Sequence, residues 1–155
     1  MSRLLPDSLS ALDLTAFLHA QIPLTLAMGL CVAESNSTRL VLEAPLAANT
    51  NHLGTAFGGS LHALPTLACY GALWTLLREA GVDGHVVVKR SSANYRQPVK
   101  AILRAVCTRP DAAECARFMD DLRRHKKARM EMSAIVEGAD GRPAVEFSGT
   151  FVAFV

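Results

Sequence analysis

The sequence predicts an α+β protein, and two features of the chain support that prediction. Residues 61–80 form one long stretch that is apolar on nearly every face of a helix, as expected for a helix wrapped by other structure. The second half of the chain instead alternates apolar and polar residues, as half-buried strands do. Because helix and strand signals are segregated, we expect an antiparallel sheet that curls around the long helix.

The residues before the long helix predict one helix and one hairpin. Residues 8–21 carry apolar side chains at roughly helical spacing, and Asp7 or Ser8 is placed to cap the start of that helix. Two short apolar-rich strands are expected at 30–34 and 39–44, separated by four residues of turn composition.

The residues after the long helix predict four strands and a short helix. Gly81 is placed to stop the long helix. No internal repeat, linker or low-complexity tract interrupts the chain, so we expect a single domain over residues 1–155. The predicted strands are 85–95, 100–107, 129–137 and 145–155, and the short helix is 111–122.

Composition narrows the classes of function. A net charge of +2 is too mild to indicate nucleic-acid binding. The four cysteines form no C-x-x-C pair, so we expect buried or idle thiols in a reducing compartment and no metal site. No signal-peptide pattern opens the chain, and no run reaches the roughly 18–20 apolar residues of a membrane span. A cytoplasmic protein without a membrane segment is the expectation.

Two motifs lie on either side of the long helix. Residues 49–60 read NTNHLGTAFGGS, and residues 94–98, at the end of the strand after the helix, read NYRQP. The first resembles the Asn-x-x-Gly-x-x-(His/Phe)-Gly-Gly signature of hot-dog acyl-thioester enzymes, and the second resembles their Tyr-x-x-Pro element. The Asn-x-Asn-x-x-Gly-Thr-x-Phe-Gly-Gly-Ser variant is most similar to the YiiD C-terminal family, often labelled thioesterase, which includes stand-alone malonyl-ACP decarboxylases.

This resemblance covers nearly the whole chain. It implies a hot-dog fold, in which an antiparallel sheet wraps around a long central helix. It also implies a homodimer or a dimer of dimers, with the site formed between the loop of one subunit and the helix of another. It implies no cofactor.

The Gly58-Gly59-Ser60 segment is the first candidate for chemistry. Two glycines allow positive φ and a close approach of backbone to ligand. Free N–H groups at the start of a helix suit the oxyanion of a thioester. The alternative is a tight turn capped by Ser60.

Two loop asparagines are candidates for contact with the thioester. In the hot-dog pattern Asn51 faces the thioester, and we favour it over Asn49, which is a candidate turn-former. His52 is an outside candidate for a base. Phe57 stands where a histidine is common, which disfavours a dehydratase.

Thr66 differs from the residue that the hydrolytic hot-dog enzymes carry at the same position. They carry an Asp or Glu one to two turns into the central helix, and that position falls here on Thr66. The helix holds no carboxylate before Glu79. A threonine is a poor general base, whereas it tolerates an anionic malonyl group that an aspartate would repel. The alternative is a core hydroxyl bonded to the carbonyl of His62.

Basic residues fall into two groups that would attract an acidic carrier protein or the phosphates of coenzyme A. One is the run 123–129. The other surrounds the end of the strand before Pro98 and comprises Lys89, Arg90, Arg96 and Lys100. Either group is alternatively a solvated face. Neither has the interleaved aromatic residues that indicate single-stranded nucleic acid.

The resulting hypotheses are three. The first is decarboxylation of malonyl-ACP or malonyl-CoA to the acetyl thioester, which would prime fatty-acid synthesis. The second is hydrolysis of acyl-CoA or acyl-ACP, and the third is non-catalytic binding of an acyl thioester. In the first hypothesis the catalytic residues are Asn51, Gly58, Gly59 and Thr66. The expected substrate-binding residues are Asn49, His52, Phe57, Ser60, Lys89, Tyr95 and Arg96.

Overall fold

A computed structural model describes residues 10–155 and contains four α-helices and six strands in that range. A single 3-10 turn, Leu46–Ala48, precedes the candidate loop. The helices are α1 (Ala11–Gln21), α2 (Pro23–Ala27), α3 (Gly58–Glu79) and α4 (Ala112–His125). The strands are β1 (Cys31–Ser35), β2 (Arg39–Ala44), β3 (His85–Tyr95), β4 (Leu103–Thr108), β5 (Lys127–Glu137) and β6 (Pro143–Phe154).

The six strands form one antiparallel sheet in the order β1-β2-β4-β5-β6-β3. Helix α3 packs against five of them, β2, β3, β4, β5 and β6. The predicted α+β architecture, a sheet wrapped around a long central helix, is therefore confirmed. Strand β3 lies at one edge of the sheet, so one side of its backbone pairs with β6 and the other side has no strand beside it in residues 10–155.

The core consists of apolar side chains from α3 and from the concave face of the sheet. Leu64, Leu73 and Leu77 of α3 are fully buried, and burial of each side chain contributes about 1.5–3 kcal/mol. Gly71 lets α3 approach β2 closely, because a Cβ there would lie 2.8 Å from a methyl carbon of Leu40. This packing sets the direction in which the start of α3 points.

Strand β5 shows why the alternation of apolar and polar residues predicted strands in the second half of the chain. Every second residue is buried from Ala128 to Val136, and the residues between them are exposed. Side chains of a strand alternate between the two faces of the sheet, so the buried set faces α3.

Several predicted boundaries were wrong: β1, α4, β5 and β6 differ by one to three residues at their ends, and α3, β4 and α1 differ as follows. Helix α3 begins at Gly58, three residues before the first periodic residue, because Phe57 is extended and the first turn needs no buried side chain. Strand β4 begins at Leu103, since residues 100–102 belong to the irregular connection after β3. Helix α1 is capped by Ser10, whose Oγ accepts from the Asp13 amide at 3.1 Å. The expected caps Asp7 and Ser8 lie outside the described residues.

The four cysteines differ in their burial. Cys69 and Cys107 are buried, Cys31 is exposed, Cys115 is half-buried, and all four are free. A hydrogen bond with Cys107 and burial raise the pKa of the Cys69 thiol, so it stays protonated. No helix in residues 10–155 is both long enough and apolar enough to cross a membrane.

Candidate functional site

The loop before α3 is closed by the side chain of Asn51. Its Oδ1 accepts from the amides of Leu53 (2.8 Å) and Thr55 (3.2 Å), and its Nδ2 donates to the Thr55 hydroxyl at 2.8 Å. Gly54 lies within this turn at φ 75°, a conformation that favours glycine. Asn51 therefore forms the turn, although Asn49 was the predicted turn-former.

Asn49 is a buried anchor, with 3% of its surface exposed. Its Nδ2 donates to the carbonyl oxygens of Met28 (2.9 Å) and Pro45 (2.8 Å), and its backbone oxygen accepts from the Phe57 amide at 2.7 Å. These bonds tie the start of the loop to the ends of α2 and β2 and join the two ends of the loop to each other. The side-chain amide of Asn49 is thus engaged away from the exposed side of the loop.

The two motifs found in the sequence meet in space. The amide of Ala56 in the loop donates to the carbonyl of Val99, the residue after Pro98, at 2.8 Å. Tyr95, at the end of β3, contacts the first turns of α3 through His62. The loop, the start of α3 and the end of β3 therefore form one continuous region, which we call the candidate site.

The start of α3 differs from the expectation at its glycines. Gly58 and Gly59 lie in the first helical turn, and neither has a positive φ. The helix is capped by Phe57, not Ser60, and no side chain bonds to its first amides. Those amides have no partner within the helix, and the positive end of the helix dipole coincides with them. The free amides that the sequence predicted are therefore present, whereas the predicted positive φ was wrong; a role in stabilising an oxyanion stays a prediction.

Gly59 makes room for the Phe57 ring. The ring of Phe57 lies across it, and a Cβ at Gly59 would come within 2.3 Å of a ring carbon. Phe57 itself is 55% exposed. An aromatic side chain thus covers the first turn of α3 while the amides of that turn remain uncapped.

Thr66 lies two turns into α3 and is half-buried. Its hydroxyl donates to the backbone carbonyl of His62 at 2.7 Å, the internal bond that was the alternative to a chemical role. The hydroxyl oxygen of Thr66 can still accept a hydrogen bond. Glu79, the sole carboxylate of α3, is bound to Arg109 at 2.6 Å and lies at the far end of the helix.

A polar cluster that the sequence did not reveal joins α3 to β3. His62 Nε2 lies 3.0 Å from Ser91 Oγ, and His62 Nδ1 lies 3.4 Å from the Tyr95 hydroxyl. The ring also packs edge-on against Phe147, with ring centroids 5.3 Å apart. Residues 62 and 91 are 29 positions apart in the chain, and only the packing of β3 beside α3 brings them together.

Comparison with known proteins agrees with this geometry. The model of a family described as "Putative thioesterase (yiiD_Cterm)" matches residues 11–155. The chain belongs to the YiiD C-terminal family. A structure of a protein of unknown function from Chlorobaculum tepidum is similar, with 31% identity, a TM-score of 0.88 and 93% of each chain covered.

Two further solved structures are similar to this chain. A thioesterase structure from Shewanella oneidensis, itself described as putative, shares 26% identity at a TM-score of 0.83, covering 94% of this chain and 97% of that one. A thioesterase from Haemophilus influenzae has the same fold at 12% identity and a TM-score of 0.72, with 98% and 95% covered. The hot-dog fold is thereby shown, together with membership of a family whose description is that of a putative thioesterase.

Two of the remaining predicted residues of this YiiD C-terminal protein, His52 and Ser60, lie in the candidate site, whereas Lys89 lies away from it, beside Lys127 and Arg129. His52 is exposed at the tip of the loop, Ser60 is half-buried in the first turn of α3, and Lys89 is exposed on β3. Arg96 bonds to Glu146 at 3.2 Å. Tyr70, one turn beyond Thr66, is half-buried, and burial raises the pKa of its hydroxyl, so it remains a neutral group.

The basic run 123–129 does not form one surface. Arg123, Arg124 and His125 end α4, Lys126 is a left-handed C-cap at φ 60°, and the rest starts β5. The cation of Arg124 is also paired with Asp120 at 3.1 Å. The run is therefore the C-terminus of a helix followed by the start of a strand. The helix dipole stabilises cations at a helix C-terminus, so a bound ligand is not needed to explain these basic residues.

Proposed function

We propose that this protein decarboxylates a malonyl thioester, carried by ACP or coenzyme A, to the acetyl thioester. The observation that carries the proposal is the pairing of uncapped amides at the start of α3 with a helix that holds no carboxylate before Glu79. The reaction needs no activated water. It needs a group that holds the carboxylate and a group that stabilises an enolate oxygen.

The first turn of α3 supplies the second of these groups. As CO2 leaves, the electron pair of the broken C–C bond becomes an enolate, with negative charge on the thioester oxygen. Amides of Gly58 and Gly59 that lack partners within the helix are donors of fixed position for that charge. The Phe57 ring lies against Gly59 on one side of this turn.

Thr66 is assigned to the substrate carboxylate. Its hydroxyl donates to the His62 carbonyl in this structure and exchanges that bond for one to the carboxylate by rotating about Cβ–Oγ. The exchange is favourable, because a hydrogen bond to a charged acceptor is roughly twice as strong as one to a neutral carbonyl.

Asn51 is assigned to the thioester from the loop side. Its Oδ1 is occupied by two amides, whereas one of its Nδ2 contacts, to the Ala56 carbonyl, is long at 3.4 Å. The thioester oxygen would replace that weak contact without opening the turn. Asn51 thus orients the substrate while remaining the turn-former.

The decisive measurement is the mass of the carrier after incubation of purified protein with malonyl-ACP. We expect conversion of malonyl-ACP to acetyl-ACP with loss of CO2. Free ACP without acetyl-ACP would contradict decarboxylation and favour hydrolysis, and unchanged malonyl-ACP bound to the protein would favour a non-catalytic binder. Malonyl-CoA in a parallel reaction identifies the carrier. An ACP substrate would place the protein in the cytoplasm, where fatty-acid synthesis supplies it.

Hydrolysis is the second candidate, and the family description favours it. Beyond Thr66 and Tyr70, the same side of α3 leads to a cleft of about 430 Å³ lined by Phe17, Trp74 and other side chains. Such a cleft suits a longer acyl chain. Release of free thiol from a panel of acyl-CoA substrates would support hydrolysis, and no release from any of them would exclude it.

A homodimer completes the proposal. Strand β3 is an 11-residue edge strand whose Val87 and Val88 are 48% and 46% exposed, and long apolar edges pair readily with other strands. A second copy beside β3 would cover the half-exposed side of α3 and close the candidate site. We expect a sedimentation equilibrium mass of two or four chains. A stable monomer with full activity would contradict this arrangement.

A further inference from the structure

The cluster of His62, Ser91 and Tyr95 lies beside the residues of α3 that are assigned to the substrate in the proposed reaction. Gly58, His62 and Thr66 follow one another at four-residue intervals, so they lie on one side of α3. The two outer members are those assigned to the enolate and to the carboxylate. His62 therefore lies between the groups that would hold the two ends of a malonyl unit.

The bonds of His62 differ from those of a purely structural histidine. His19 bonds to the carbonyl of Leu30 at 2.7 Å, and a carbonyl can only accept, so the bonded nitrogen must be the donor. His62 instead contacts a hydroxyl at each ring nitrogen, and a hydroxyl can donate or accept. Either tautomer of His62 is therefore satisfied, and the ring can pass a proton from one nitrogen to the other.

The two ends of the cluster face different surroundings. Tyr95 is 52% exposed and can exchange protons with water, whereas Ser91 is half-buried beside α3. No Asp or Glu in residues 10–155 bonds to the His62 ring or to either hydroxyl, so no charge holds one tautomer. The cluster is thus a hydrogen-bonded chain that leads from solvent to the helix.

We propose that Tyr95, His62 and Ser91 form a proton relay that protonates the α-carbon after CO2 has left; this rests on the proposed function. Cleavage of the C–C bond leaves the electron pair on the enolate. The Ser91 hydroxyl gives its proton to the α-carbon, His62 Nε2 reprotonates Ser91, Tyr95 reprotonates Nδ1, and solvent reprotonates Tyr95. One proton is consumed from solvent, and His62 ends as the Nδ1–H tautomer. The starting Nε2–H tautomer is restored between turnovers, when water reaches Ser91 after the acetyl thioester leaves: Nε2 gains a proton through Ser91, and Nδ1 returns one to solvent through Tyr95.

The test uses full-length protein and malonyl-ACP, with kcat and KM measured for His62→Gln, Ser91→Ala and Tyr95→Phe. General acid catalysis contributes about 10²-fold or more, so we expect His62→Gln to lower kcat roughly 100-fold and to leave KM within about twofold. Tyr95→Phe and Ser91→Ala should lower kcat in the same way. Ser92→Ala is the matched control for Ser91→Ala, because Ser92 is the exposed neighbour of Ser91 on β3 and its hydroxyl bonds to Ser148 instead of His62.

Chemical rescue separates a relay from a packing role. Added imidazole should restore part of the kcat of His62→Ala but should leave Ser91→Ala unchanged. A wild-type kcat for His62→Gln, or a loss that appears in KM and thermal stability without rescue, would overturn the relay and leave decarboxylation standing. If the His62 variants do not fold, Ser91→Ala and Tyr95→Phe decide the question by the same criterion. Absence of acetyl-ACP with wild-type protein would overturn both proposals.

Discussion

Replacement of Asn49 by alanine is expected to destabilise the protein strongly. The Asn49 amide is the donor for the carbonyls of Met28 and Pro45 in a buried position. Each buried acceptor left without a donor costs about 1–3 kcal/mol, so we expect a loss of about 2–5 kcal/mol in the free energy of unfolding. For a chain of this length the Tm should fall by roughly 5–15 °C, measured by calorimetry.

Asn49→Asp distinguishes the hydrogen bonds from the volume of the side chain. An ionised aspartate has nearly the same shape but only acceptors, so it would face the two carbonyl oxygens without a proton to share. We expect it to be at least as destabilising as Asn49→Ala.

Asn51→Ala is the matched comparison in the same loop. Asn51 is half-buried, and water can replace part of its bonding, so we expect a loss nearer 1 kcal/mol together with a loss of activity. A Tm for Asn49→Ala within about 2 °C of wild type, with activity abolished, would reverse the two assignments and give Asn49 the contact with the thioester.

The fold was predictable because its signals are local. Strands β2 and β3 were predicted to the residue. In β2 the apolar residues Leu40, Leu42 and Ala44 recur at every second position, whereas β3 was identified by its β-branched start at residues 86–88. The start of α3 was missed because Gly58, Gly59 and Ser60 carry no such periodicity. Their helical conformation depends on Phe57 and on the loop being tied to Val99.

The candidate site was only partly predictable, because its contacts join distant segments. The motifs located the loop, the start of the helix and Tyr95, which do meet in space. The division of roles between Asn49 and Asn51 depends on which side chain is buried, and two asparagines two residues apart look alike in the sequence. His62 appeared as an interruption of an apolar run, and its partner Ser91 carried no signal.

Thr66→Asp is expected to change the reaction that the protein catalyses. Thr66 lies where hydrolytic hot-dog enzymes resembling this protein carry a carboxylate, and it is the residue assigned to the malonyl carboxylate. Two like charges about 4 Å apart repel by about 4 kcal/mol at the effective dielectric constant of a protein surface. We therefore expect kcat/KM for malonyl-ACP to fall roughly 1,000-fold. Neutral acyl thioesters meet no such repulsion, and a carboxylate there can activate water, so hydrolysis of acyl-CoA should rise.

Two smaller substitutions separate the charge from the loss of the hydroxyl. Thr66→Val keeps the shape and removes one hydrogen bond to an anion, worth about 1.5–3 kcal/mol, so kcat/KM for malonyl-ACP should fall about 10–100-fold. Thr66→Ser keeps the hydroxyl and should retain most activity. If Thr66→Asp decarboxylated malonyl-ACP at the wild-type rate, the substrate carboxylate would have to lie elsewhere in the candidate site. If both Asp and Val variants lost equal activity, the hydroxyl alone, and not the absence of a negative charge, would explain why threonine occupies this position.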